Sequence, residues 1–283
     1  MAMRTLSAGK LFLQRDFPRF LVLVGGFYVG GTIAIGLHEL GHLFGACVSN
    51  IFLRERITIS GLVLHPFRDS HLIASGHQTF LFAAGGFLFG SLLALICLLP
   101  AHFWSQPGES FWIIAYFVAS MGVGLNGVYL VKGSLNPYGD LFDLINLHIP
   151  ISVLLLAGLF LLLLFLLLST CLFQSLGFQR EESLFSWLLW PELGILIYFS
   201  LGYGFCALTA TSENVFPSLR FWFEFFAFFG IISSLAVMVA FQRTKTGLNF
   251  QSRNCEAGWR KVTIIFLVAA VLTIAEVVFF GPQ

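Results

Sequence analysis

The residues whose types and spacing could do chemistry form the segment HELGH, residues 38–42, inside the first apolar stretch. Residues i and i+4 of a helix share a face, so His38 and His42 can present two imidazoles to one metal ion. Glu39, next to the first histidine, can reach a water on that metal and act as its base. Because zinc lowers the pKa of such a water toward about 7, the spacing predicts a zinc site with hydrolytic chemistry.

The position of HELGH within an apolar segment strengthens this prediction. Seven histidines and ten glutamates among 283 residues would produce an HExxH segment about 0.005 times by chance. Two histidines and a glutamate in a hydrocarbon-length run cost several kcal/mol unless they pair or bind a metal. A polar helix-packing cluster is the alternative interpretation, in which Gly36, Gly41 and Gly45 allow a second helix to approach closely.

A catalytic zinc needs a third protein ligand and one open position, and LNPYGD, residues 135–140, contains the best candidate. Asp140 follows a turn made by residues 136–139, just before an apolar helix resumes, and Asp143 lies one helical turn further on. A carboxylate held at a helix start within the membrane is costly without a cation, which favours metal binding. Helix capping by Asp140 is the alternative. Together with HELGH, the pattern favours Asp140 over Asp143 as the third ligand.

The composition places these residues in a membrane protein. Of 283 residues, 58% are hydrophobic and only 10% are charged, and the mean hydropathy is +0.89. Soluble proteins carry about 25% charged residues, so this chain is not a soluble enzyme, a secreted domain or a disordered chain. A net charge of +1, with no basic run between aromatic residues, excludes nucleic acid as a partner. Five widely spaced cysteines without a CxxC pair predict neither disulfides nor a thiolate zinc site.

A helix needs about 20 mainly apolar residues to cross about 30 Å of hydrocarbon. The sequence therefore predicts an all-α polytopic membrane protein with about seven transmembrane helices, near residues 20–48, 79–100, 111–132, 150–173, 185–209, 219–241 and 262–280. The first apolar segment extends too far for a signal peptide, and we expect it to be retained. In the third span, Asn126 would face hydrocarbon unless it bonds to a neighbouring helix, and it is a candidate for lining the site.

The connection between the first two spans, residues 49–78, differs in character from the rest of the chain. Residues 57–65 (ITISGLVLH) predict a short strand that is interrupted by Gly61 and halted at Pro66. A second extended piece around residues 71–75 can pair with this strand. We therefore expect a small β-hairpin that lies at the membrane interface or dips into the membrane with its edges covered by protein.

Together these motifs resemble those of the site-2 protease family of intramembrane zinc metalloproteases. In that family an HExxH on one transmembrane helix joins an aspartate from an NPxxDG-like or LDG motif on a later helix. Here the matching pieces are HELGH and LNPYGD, about two spans apart. The resemblance implies that His38, His42 and Asp140 bind Zn2+ and that Glu39 is the general base. It also implies that Asn136 helps to hold substrate or supports the site.

The resemblance covers residues 20–148 and implies a metalloprotease-like catalytic core there. Residues 150–283 add further transmembrane helices, and residues 1–283 form a single integral membrane domain. The sequence also departs from the family pattern. At the start of the second span, Gly86 and Phe89 stand where the family often has proline and asparagine, and Leu141 replaces the usual glycine after the aspartate.

The expected function is a membrane-embedded zinc metallopeptidase that hydrolyses a peptide bond in or near the bilayer. Its partners would be a transmembrane protein or peptide substrate and the lipid bilayer. The departures at Phe89 and Leu141 leave a second possibility, a non-proteolytic relative that binds or chaperones a membrane partner. Retention of Glu39 argues against that alternative, because a binding role needs no base.

The distribution of basic residues leaves the orientation open. With the N-terminus inside, the inside segments hold ten Lys and Arg residues and the outside segments hold five, which favours that topology. HELGH would then approach the outer face, whereas the family resemblance favours a site nearer the cytoplasm. We expect the plasma membrane as the location.

Overall fold

Helices account for most of the chain. The structure, a computed structural model, describes residues 16–49, 53–58, 61–66, 76–106, 109–137, 139–178, 183–209, 215–246 and 258–280. Its helices are α1 (Phe17–Ser49), α2 (Gly76–Ile96), α3 (Leu98–Trp104), α4 (Ser110–Leu135), α5 (Asp140–Asn146), α6 (Ile151–Ser175), α7 (Leu184–Thr209), α8 (Val215–Lys245) and α9 (Trp259–Phe280). Two strands, β1 (Leu53–Thr58) and β2 (Gly61–Pro66), lie between α1 and α2.

Five helical segments among the described residues are long and apolar enough to cross a membrane. They are Phe17–Ser49, Phe80–Trp104, Ser110–Leu135, Ile151–Ser175 and Ala227–Thr244. All five fall on predicted spans, and α7 and α9 fall on the other two predicted spans. The chain is therefore a mainly helical membrane protein with five candidate spanning helices in its described part.

Two hydrophobic cores hold the bundle together, and both α4 and α6 contribute side chains to each of them. The larger core joins α4 to α1, α6, α7, α8 and α9, and its largest fully buried side chains are Trp187, Phe117, Phe165, Phe173 and Phe229. The smaller core joins α4 to α2, α5 and α6 through Ala83, Ala84, Phe87, Leu130, Leu141, Leu144 and Leu154. This second core contains the residue that follows Asp140, so packing against α4 positions the start of α5.

The two strands pair antiparallel, with Leu53 opposite Pro66 and Thr58 opposite Gly61. Residues 57–65 were predicted to form one strand, and this prediction was wrong. In the structure β1 ends at Thr58, β2 begins at Gly61, and the two run antiparallel, so the predicted strand corresponds to parts of two paired strands. The second predicted strand segment, residues 71–75, lies outside the described residues.

A buried arginine joins the start of α1 to the end of α6. The Arg19 guanidinium donates hydrogen bonds from Nε to the Leu176 carbonyl (3.2 Å) and from Nη2 to the Gly177 carbonyl (2.6 Å). It also stacks over the Phe178 ring at 4.3 Å and lies 3.6 Å from the Asp16 carboxylate. Carbonyls at a helix C-terminus lack intrahelical partners and carry partial negative charge, so this cation stabilises the end of α6.

Replacing Arg19 by methionine should lower the stability of the bundle, because the substitution removes charge-assisted hydrogen bonds to buried carbonyls. Loss of such bonds costs about 1.5–3 kcal/mol each. We expect a fall of several degrees in the midpoint of thermal unfolding of the detergent-solubilised protein. Arg260→Met, at an exposed position in the first turn of α9, is the control and should leave the midpoint unchanged. Equal midpoints for both variants would contradict the assigned role of Arg19.

Candidate metal centre

Three side chains from distant parts of the chain meet at one point. His38 Nε2 lies 3.0 Å from His42 Nε2. The Oδ2 atom of Asp140 lies 3.4 Å from the first of these nitrogens and 3.2 Å from the second. Among the described residues, these three form the group of His, Cys, Asp and Glu side chains that could hold a metal ion. The structure therefore brings the three predicted ligands together.

The connection between α4 and α5 positions Asp140. α4 ends at Leu135, and Asn136 takes an extended conformation (φ −140°), as a residue before proline favours. Gly139 then adopts a φ of +55°, which glycine tolerates at little cost, and α5 begins at Asp140. The N-cap of α5 is Gly139, and the Oδ2 atom of Asp140 faces the Nε2 atoms of both histidines. The alternative interpretation of Asp140 as a helix cap is therefore wrong.

Close backbone approach between α1 and α2 places Gly86 directly against the histidines. A Cβ atom at Gly41 would overlap the Gly85 carbonyl oxygen, so the two helices touch through their backbones. A Cβ atom at Gly86 would lie 2.5 Å from Nε2 of both His38 and His42. Because a methyl group at this position would occupy the space in front of both nitrogens, the glycine leaves room there for an ion.

The hydrogen bonds of the two imidazoles determine which nitrogens are free to bind a cation. His42 Nδ1 donates to the Phe82 carbonyl oxygen at 2.8 Å, and His38 Nδ1 donates to Oδ1 of Asn126 at 2.8 Å. A neutral imidazole that is protonated on Nδ1 carries a lone pair on Nε2. With both imidazoles in that form, two lone pairs and the Asp140 carboxylate point at one another, an arrangement that a metal ion would stabilise. A single proton can bridge only two of the three groups, whereas a metal ion satisfies all of them.

The separations and exposure of the three groups fit a catalytic zinc ion. A tetrahedral ion with bonds of about 2.0–2.1 Å places its ligand atoms about 3.3 Å apart, and the separations here are 3.0, 3.2 and 3.4 Å. The His42 side chain is 3% exposed, but those of His38 and Asp140 are 16% and 26% exposed. Two nitrogens and one oxygen with an open side are typical of a catalytic zinc site, whereas structural zinc is enclosed by four ligands.

Aromatic rings surround the two histidines. The Phe82 ring centroid lies 5.1 Å from that of His42, and those of Phe87 and Tyr129 lie 5.2 Å and 6.4 Å from that of His38. These rings make the surroundings of the ligands apolar. A water-poor environment strengthens the electrostatic interactions between the ligands and a bound cation.

Three other candidate residues lie near the group without belonging to it. Glu39 is half-buried on α1 and is an i,i+3 neighbour of His42, so it lies at the edge of the face that carries the ligands. Asn136 is exposed at the end of α4. Asp143 is half-buried on α5, one turn after Asp140, and it is not a member of the metal-binding group.

Two of the partners that orient the histidines were not predicted from the sequence. One is the Phe82 carbonyl. It is a main-chain group, and the residue type does not indicate whether a main-chain carbonyl can accept a hydrogen bond from a side chain. The other is Ser91 of α2, whose Oγ accepts a hydrogen bond from Asn126 Nδ2 at 2.8 Å. Asn126 itself was a candidate because an amide in an apolar span needs a partner, and the same reasoning would have drawn attention to Ser91.

Replacing Gly86 by alanine should weaken metal binding, because the added methyl group would displace both imidazoles from the shared point. Loss of ligand orientation of this kind costs about 10–100-fold in metal affinity. Chelator competition with Zn2+ on the purified protein measures the change. Gly36→Ala on α1, where a Cβ atom would meet nothing within 4 Å, is the matched control and should retain wild-type affinity. An unchanged affinity in the Gly86 variant would contradict the claim that the space in front of Gly86 holds the ion.

Comparison of the chain with protein-family models, with curated proteins and with solved structures gave no significant match in any of the three. The resemblance to the site-2 protease family therefore stays a prediction from the two sequence motifs.

Proposed function

We propose that this protein is a membrane-embedded zinc metallopeptidase that hydrolyses a peptide bond in or near the bilayer. The observation that carries the proposal is the meeting of His38, His42 and Asp140 at one point with an open side, next to Glu39 on the same helix. These residues come from the two motifs that resemble the site-2 protease family. In an apolar chain, such a concentration of ionisable groups is costly unless it has a function.

The metal we assign to the group is Zn2+, held by His38 Nε2, His42 Nε2 and a carboxylate oxygen of Asp140. When bound, zinc would polarise a peptide carbonyl and lower the pKa of a water molecule at the open side. The protein contributes the ligand geometry, which the hydrogen bonds on both Nδ1 atoms support. It also contributes apolar surroundings, since aromatic rings pack beside both histidines.

Glu39 is the proposed proton carrier of the reaction. Its carboxylate takes a proton from the attacking water as the water oxygen bonds to the carbonyl carbon. It then gives that proton to the leaving nitrogen as the C–N bond breaks, so that the products are a carboxylic acid and an amine. A general base positioned in this way contributes about 10²–10⁴-fold to the rate.

The proposed substrate is a transmembrane protein or peptide whose chain is extended at the cleaved bond. A helical segment hides its carbonyls in internal hydrogen bonds, so a substrate must unwind before its carbonyl can reach the ligands. Asn136 is our candidate for binding the unwound backbone, because an amide both donates and accepts hydrogen bonds and this one is exposed four residues before Asp140. The lipid bilayer is the second partner.

We further propose seven spans, a single integral membrane domain and a location in the plasma membrane. α7 and α9 contain 26 and 22 residues, which exceeds the length of about 20 that a helix needs to cross hydrocarbon. In this arrangement residues 20–148 form the catalytic core, and the later helices support it through their packing against α1 and α4.

A non-proteolytic role is the second candidate, and the environment of Phe89 is the observation that favours it. The Phe89 ring packs against the Phe44 ring of α1 with centroids 4.4 Å apart, so this position offers no polar group to a substrate. A protein of this kind would keep the metal and the fold and bind a membrane partner without cleaving it.

Glu39→Gln should abolish cleavage and leave the zinc content at about one ion per chain, because Glu39 is not a ligand. Rates of cleavage of a co-expressed membrane substrate should fall by about 10²–10⁴-fold. The zinc content of the purified variant, measured by mass spectrometry, distinguishes loss of the base from loss of the metal. Full cleavage by the variant would overturn the proposed mechanism. A wild-type protein that binds zinc but cleaves nothing would favour the binding role.

Asp140→Ala should remove zinc, whereas Asp143→Ala should retain it. The two aspartates lie on the same short helix, but among the described residues it is Asp140 that forms the metal-binding group with the two histidines. Each variant is compared with wild type by metal analysis after dialysis against a weak chelator. Loss of zinc from the Asp143 variant alone would show that the third ligand had been assigned to the wrong residue.

Seven spans place residues 180 and 212 on opposite sides of the membrane, because one span, α7, separates them. Single cysteines introduced as Arg180→Cys and Ser212→Cys in a cysteine-free background should therefore react with a membrane-impermeant maleimide from opposite sides. Labelling of both positions from the same side would show that α7 does not cross the membrane.

A further inference from the structure

A chain of hydrogen bonds behind His38 reaches across three helices. Asn126 of α4 donates from Nδ2 to Ser91 Oγ of α2 at 2.8 Å. The Oδ1 atom of the same amide accepts from Nδ1 of His38 on α1, also at 2.8 Å. Asn126 is 5% exposed and Ser91 is 4% exposed, so water cannot readily substitute for either partner.

The donor and acceptor roles in these hydrogen bonds decide whether His38 can act as a ligand. An amide oxygen only accepts hydrogen bonds, so a histidine that bonds to Asn126 Oδ1 must carry its proton on Nδ1. Nε2 is then left with a lone pair that points toward His42 and Asp140. The reversed amide would present an N–H group to Nδ1 and would leave the proton on Nε2, where it blocks a cation. In the structure the amide takes the first orientation, with Nδ2 directed at the Ser91 hydroxyl and Oδ1 directed at His38.

We propose that Asn126 and Ser91 are positioning residues of the metal centre, which hold His38 in the protonation form and ring orientation that metal binding needs. This inference rests on the proposed metal centre and not on proteolysis. Hydrogen-bonding partners of metal-bound histidines typically contribute 10–100-fold to metal affinity. An interhelical hydrogen bond with a purely structural role is worth only about 0.6 kcal/mol in a membrane protein and would leave metal affinity unchanged.

The same series of hydrogen bonds links the metal centre to the packing of the bundle. Asn126 is one of the buried residues of α4, and its two partners lie on the helix pair that encloses the ligands. His42 is oriented differently, by the main chain of α2 at Phe82. A side-chain substitution can therefore remove the support of one histidine and leave the support of the other intact.

The test compares zinc affinities of full-length variants in detergent, measured by competition with a chelator. Asn126→Leu keeps the approximate volume but removes the acceptor, and it should weaken zinc binding by about 10–100-fold. Asn126→Asp keeps an acceptor for the Nδ1 proton and can accept from the Ser91 hydroxyl, so it should retain high affinity. Ser91→Ala removes the hydrogen-bond partner of the buried Asn126 Nδ2, which loosens the amide behind His38, and should lower the affinity by a smaller factor. The visible spectrum of the Co2+-loaded protein should change in Asn126→Leu and persist in Asn126→Asp.

Ser120→Ala is the matched control, because Ser120 is buried on the same helix and its Oγ has no hydrogen-bond partner among the described residues. This variant should bind zinc as wild type does. Wild-type zinc affinity in Asn126→Leu, or an Asn126→Asp variant no better than Asn126→Leu, would overturn the inference. If the leucine variant does not fold, wild-type affinity in Ser91→Ala would overturn it equally. A wild-type protein without zinc would instead overturn the proposed function and, with it, this inference.

Discussion

The backbone contact between α1 and α2 is the constraint on which the site depends. Gly41 and Gly85 face each other so closely that a side chain on either would collide with the carbonyl oxygen of the other. This approach sets Gly86 in front of the two imidazoles and brings the Phe82 carbonyl within hydrogen-bonding distance of His42. Small residues allow such contacts in membranes, where helices associate through van der Waals packing and hydrogen bonds because lipid is as apolar as leucine.

The scarcity of polar groups elsewhere in the chain explains why those at the site are so closely paired. An unsatisfied polar atom in hydrocarbon costs several kcal/mol, so polar side chains within the bundle need partners. Arg19 meets the carbonyls at the end of α6, and the Glu192 carboxylate accepts from Ser234 Oγ at 2.8 Å. At the site, the same requirement produces the three-helix chain through Asn126 and the convergence of the ligands. Two imidazole lone pairs and a carboxylate that meet in this way form a group that could hold a metal ion.

The candidate ligands were predictable because their chemistry is encoded locally. An i,i+4 pair of histidines shares a helix face whatever the helix packs against, and a glycine after Asn-Pro predicts a turn that frees the next aspartate. The choice of Asp140 over Asp143 also followed from the turn. The division of residues 57–65 into two strands was missed, because Gly61 was interpreted as an interruption within one strand and not as the point where the next begins.

What the sequence alone determined is the membrane environment, the positions of the helices and the identity of the residues able to bind a metal, because each depends on composition or spacing along one helix. Only the tertiary structure decided that Asp140 reaches both histidines, that Gly86 leaves space in front of them, and that Ser91 bonds to the amide that contacts His38. These contacts join residues up to about a hundred positions apart. Their geometry depends on how closely three helices pack, which no local pattern of residues specifies.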